Sequence, residues 1–160
     1  MKIRYLIFAL AVTIILSGLA FTQASKKNQP KPAFDAKLAG KLGADEYGMR
    51  SYVLVILKTG PANIEPGAER DEIFKGHFAN MGRLADQGKL SAAGPFGEND
   101  RGYRGLFILN VATIDEARAL TETDPAVKAG LFIAEFTPWY GSASLMATPE
   151  IHKKIARKNP

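Results

Sequence analysis

Two histidines and no cysteine leave this chain few side chains for acid–base, nucleophilic or metal chemistry near neutral pH. His77 lies in a stretch from about Glu69 to Gln87, whose apolar residues Ile73, Phe74, Met81, Leu84 and Ala85 recur at helical spacing. At about 100° per residue, His77 falls within roughly 30° of the centre of that stripe, so an ionisable ring is aimed at whatever the helix packs on. Such a ring is either a hydrogen-bonded core group or a general acid or base. His152 sits beside Ile151, Ile155 and several lysines, a setting that predicts a surface position.

Asp124 precedes Pro125, Ala126, Val127, Lys128 and Gly130, which reads as an N-cap, a proline at the first helical position, one short turn and a glycine stop. Capping alone would account for the carboxylate. If the segment runs close to the first helix, the carboxylate would also hold the imidazole of His77 in one tautomer. Arg70, on the face of His77 two turns earlier, and Arg104, opening a later strand, are candidates for anchoring an anionic substrate. Carboxylates without metal-ligand spacing, and so few histidines, predict no metal site, and no cofactor is expected. Gly141, Ser142, Ala143 and Ser144 lack the second glycine of a nucleophile elbow, and no glycine-rich loop follows a strand. Serine-hydrolase and nucleotide-binding classes therefore lose support.

The elements that must position these residues are legible from period and punctuation. A strand at Tyr52–Leu57 is followed by a turn-rich Thr59–Gly67 and then the helix of His77, with acidic Glu69, Asp71 and Glu72 in its first turn and Gly88 at its stop. A short strand at Leu90–Ala93 ends at Gly94 and Pro95, and the loop Gly97–Gly102 leads into the strand Arg104–Val111. The second helix opens with a capping box, Thr113 with Glu116, and ends by Asp124 because Pro125 disfavours helical geometry before it. A last strand, Leu131–Thr137, precedes Pro138 and Trp139. This order predicts an α+β, ferredoxin-like split βαβ fold with two helices on one sheet face and the second and fourth strands at its edges. Pro95 and Pro138 are tolerated at such edges.

The first strand places Val53, Val55 and Leu57 on one face and Tyr52, Leu54 and Ile56 on the other. Two helices cover only one face, so the apolar remainder is expected to meet a second copy in a homodimer.

Outside this domain, Lys2 and Arg4 precede an apolar run from Tyr5 to Leu16 and the small residues around Ala24, the layout of a signal peptide at 1–24 with cleavage before Ser25. The protein is expected to be exported, periplasmic or secreted, touching the membrane only through that segment; an uncleaved anchor is the alternative. Residues 25–49 read as a linker with a short helix carrying Phe34, Leu38 and Leu42, and 142–160 as a basic helical tail capped at Thr148. The net charge of +5 comes from these ends: Asp45 to Ala147 holds ten Lys and Arg against fourteen Asp and Glu, so no nucleic-acid partner is expected.

The run from Gly88 to Phe96, the strand start Arg104, Gly105, Leu106, Phe107, the stretches Glu116–Ala119 and Thr123–Gly130, and the closing Pro138, Trp139 occur in the order seen in YciI-like, or YCII-related, proteins. The chain resembles that family over about Ser51 to Gly141, so the domain is placed at 50–141. The resemblance implies a ferredoxin-like dimer, a dimeric α+β barrel, with a His on the first helix paired with the Asp of the Asp-Pro motif, here His77 and Asp124. It implies no shared reaction. The expected function is a small-molecule enzyme of isomerase or lyase type using that pair; the alternative is a non-catalytic small-molecule-binding dimer of the cell envelope. Related barrels with a helical histidine ligand make haem a further alternative, which a Soret band would reveal.

Overall fold

The computed structural model describes residues 32–158. The expected signal segment, its cleavage point and residues 25–31 of the linker lie outside the described residues. Four strands, β1 (Met49–Thr59), β2 (Leu90–Pro95), β3 (Tyr103–Leu109) and β4 (Phe132–Ser142), form one antiparallel sheet in the order β2-β3-β1-β4. The helices are α1 (Ala36–Leu42), α2 (Ala68–Asp86), α3 (Ile114–Thr121), α4 (Pro125–Lys128) and α5 (Thr148–Ile155). From β1 to β4 this is the ferredoxin-like arrangement, with α2 and α3 as its two main helices and β2 and β4 at the edges.

Alternation along β1 decides which face is core. Val53, Val55 and Leu57 pair across to Leu109, Phe107 and Gly105, and together with Leu84 of α2 and Ala117 of α3 they build the buried cluster. Truncating such a side chain, Leu84→Ala for instance, costs about 2–5 kcal/mol. The opposite face shows Leu54, Ile56 and Leu106 half-buried and Ile133 and Trp139 exposed. No described helix lies across its centre, as the strand pattern predicts.

Three features at the ends of the domain differ from the sequence reading. β4 runs on through Pro138 to Ser142, because an edge strand bonded only to β1 has a free side where a missing N–H costs nothing. α1 leaves Phe34 and Leu38 exposed rather than packing them as a stripe; it is tied down instead by Arg50, whose Nη1 donates to the Leu42 carbonyl at 2.7 Å. α5 is capped at Ala147 and not at Thr148, since a 3-10 helix, Ala143–Ala147, runs directly into it. That short helix starts at the end of β4 and touches β1 and β2, so the tail crosses one end of the sheet and leaves α5 beside β2. No described helix is long and apolar enough to cross a membrane.

Candidate active site

α2 presents His77, Asn80 and Leu84 as its buried residues, at helical spacings of three and four. The imidazole lies among rings: it stacks on Phe107 of β3 and meets Phe74, Phe78 and Phe132 edge-on, with centroids 5.3–6.1 Å away. It is 7% exposed. Its Nδ1 is 2.7 Å from Asp124 Oδ2, and the other oxygen, Oδ1, accepts from the Ala126 N–H at 2.9 Å. Asp124 is fully buried, so both of its oxygens need donors, and the helix start and the imidazole supply them. The two readings of Asp124, cap and histidine partner, are therefore both realised in its geometry.

The loops explain how the pair meets. Gly60 at the end of β1 lies against Gly130, where a Cβ would sit 2.1 Å from the carbonyl oxygen, and the Ala62 N–H bonds that oxygen at 3.0 Å. This fixes the end of the α4 turn. Its beginning is held by Thr123, whose hydroxyl accepts from Arg83 Nη2 at 2.9 Å and has its one proton between the Leu120 carbonyl at 2.7 Å and Asn80 Oδ1 at 3.0 Å.

A carboxylate only accepts, so the shared proton belongs to Nδ1, and in the neutral imidazole the lone pair then belongs to Nε2. Nε2 has no hydrogen-bond partner among the described residues. A groove of about 780 Å³ runs between α2 and α5 over the β2 edge; His77 does not line it, but Phe74 and Phe78, which meet the imidazole edge-on, do.

Neither candidate arginine contacts His77 or Asp124. Arg70 donates to the Ile64 carbonyl at 3.2 Å and lies over Phe74. Arg104 is the extra residue where the β1/β3 register shifts, and its Nε donates to Thr59 Oγ1 at 2.7 Å; Thr59 pairs with Phe132 of the ring wall. Each stands one or two side chains from the imidazole. No cluster of three potential metal ligands occurs among the described residues.

The YCII-related domain family matches residues 51–139, more than half of the chain. The chain belongs to the YCII-related family. No curated protein matches it. Among solved structures, 5-chloro-2-hydroxyhydroquinone dehydrochlorinase from Burkholderia phenoliruptrix AC1100, in complex with 2,5-dihydroxybenzoquinone, is similar at 26% identity. The likeness covers 54% of this chain and 92% of that one, with a TM-score of 0.38. In this YCII-related protein α1 and α5 lie outside the matched span, so one wall of the groove is built by a segment beyond the family domain.

Sequence reasoning missed three features of the site. Asn80 was legible in principle, being three residues from His77 on the same helix face. The aromatic wall joins residues from α2, β3 and β4, whose proximity only the fold reveals. His152 is exposed, as its neighbours predict, but it lines the groove.

Proposed function

We propose that this YCII-related protein is a small-molecule enzyme in which His77 Nε2 is the acid–base atom and Asp124 sets its tautomer. The observation that carries the reading is the 2.7 Å contact between His77 Nδ1 and a carboxylate with no exposure to solvent. Asp124 takes the Nδ1 proton as its hydrogen-bond donor, which leaves the Nε2 lone pair free toward a ligand. The surrounding rings exclude water and lower the local dielectric, which strengthens a hydrogen bond between Nε2 and substrate.

Isomerisation or elimination suits one such group. Nε2 removes a proton from a substrate carbon; it then returns that proton to a second atom, or a leaving group departs with its electron pair. The groove beside Phe74 and Phe78 is of the size that holds a small organic ligand. Arg70 and Arg104 are the proposed anchors for an anionic substituent. Export through residues 1–24 would place this chemistry outside the cytoplasm.

The working unit we propose is a homodimer. Leu54, Ile56, Leu106, Ile133 and Trp139 make a half-open apolar sheet face, the kind of surface that a second copy covers isologously. Light scattering at micromolar concentration should give twice the chain mass, and a monomer there would reject the dimer.

The enzyme reading is tested by screening small organic compounds for those that raise the melting temperature and then assaying each for conversion. Conversion that falls about 100-fold or more in His77→Gln, with the fold retained, is the expected result. Ligands that stabilise the protein and are never converted would replace the enzyme with a binding module.

A further inference from the structure

α2 contains two glycines, Gly76 and Gly82, although glycine is unfavourable inside a helix. Their surroundings differ. A Cβ at Gly82 would meet nothing within 4 Å, whereas one at Gly76 would lie 2.9 Å from Pro125 Cγ and 3.3 Å from Pro125 Cβ. Gly76 adjoins His77 and Pro125 adjoins Asp124, so the close approach of helix to proline sits one residue from the hydrogen-bonded pair on both segments.

From this contact we infer that Gly76 is a positioning residue that sets the His77–Asp124 separation; its consequence for activity rests on the acid–base role proposed for His77. Thr123, Asp124 and Pro125 meet α2 in sequence: Thr123 through Asn80 and Arg83, Asp124 through His77, and Pro125 through Gly76. Asp124 is thus held between a polar clamp and a steric stop. The stop is rigid, because the proline ring cannot turn away about χ1. Carbon atoms rest at about 3.5–4.0 Å, so an added methyl group would push α4 back by roughly 0.6–1 Å. The 2.7 Å contact would then open beyond about 3.2 Å, the outer range for a good N–H···O bond.

The test is NMR on the purified chain with labelled histidine, without any ligand. The wild-type protein should show a low-field His77 Nδ1–H resonance protected from exchange with water. Gly76→Ala should lose that resonance, and Gly82→Ala, on the same helix, should keep it. Gly76→Ala/Pro125→Ala, which removes the nearest carbon of the stop, should recover it. An unchanged resonance in Gly76→Ala would overturn the inference, as would a double variant no better than the single one. If Gly76→Ala fails to fold, recovery of fold and resonance in the double variant still supports it, and failure of both rejects it. Turnover does not enter this readout: an intact, Gly76-dependent resonance in a protein that converts no ligand would discard the enzyme and retain the positioning role.

Discussion

The starts of α3 and α4 are both capped by a side-chain oxygen, yet they differ in everything else. Thr113 accepts from the Glu116 N–H at 3.2 Å, and Glu116 Oε2 accepts from the N–H groups of Thr113 and Ala112, all at the surface. Asp124 caps α4 with one oxygen while fully buried and gives its second oxygen to His77. Capping needs one acceptor and no burial, and burying a carboxylate is costly unless it is fully hydrogen-bonded. The contrast teaches that the second oxygen, not the cap, explains an aspartate at position 124.

Substitutions at the two caps should separate along the same line. Asp124→Ala removes an acceptor from Ala126 N–H and a partner from His77 inside the core, so urea unfolding should report a loss of about 2–4 kcal/mol. A loss no larger than that of Thr113→Ala would break the comparison. Asp124→Asn keeps the Oδ1 acceptor and replaces Oδ2 with an amide donor, so stability should fall by only about 1 kcal/mol. Conversion of any substrate found should nonetheless collapse. Thr113→Ala should cost about 1 kcal/mol in the same titration and leave the His77 resonances in place.

The smallest effect concerns acid. The N–H of Ala112, then that of Thr113 and its hydroxyl, hold the Glu116 carboxyl below its ordinary value of 4.5. A lowered folded-state value means that its stabilisation is complete above the unfolded value and is lost as pH falls through the lowered one. Glu116→Gln, which also suits this capping position, should therefore melt slightly below wild type at pH 7 and converge with it as the pH falls through the lowered value. A gap that persists at low pH would assign the effect to something other than the carboxylate.

Local signals carried much of this architecture. The capping box at Thr113, the Asp-Pro cap and the helical stripe around His77 are patterns within a few residues, and each is found where its pattern puts it. What escaped depends on contacts across the chain. The sequence reading placed Pro138 at a sheet edge yet ended the strand before it, because the pairing of Pro138–Ser142 with Met49–Val53 is a contact across the chain. Arg104 is turned toward Thr59 by a register shift that no single strand encodes. Gly76 looks like a defect in a helix until Pro125 is placed against it. The candidate pair itself was legible as two residues, but the 2.7 Å between them depends on contacts of α2 with the α4 turn that only the fold brings together.

The claim that Asp124 fixes His77 with its proton on Nδ1 and its lone pair on Nε2 is tested most directly by ring 15N shifts of His77 in its neutral form. Wild-type protein should show a protonated Nδ1 and a bare Nε2, and Asp124→Asn, which presents an amide donor, should move the proton to Nε2. A wild-type ring already protonated on Nε2, or the same pattern in both proteins, would contradict the account.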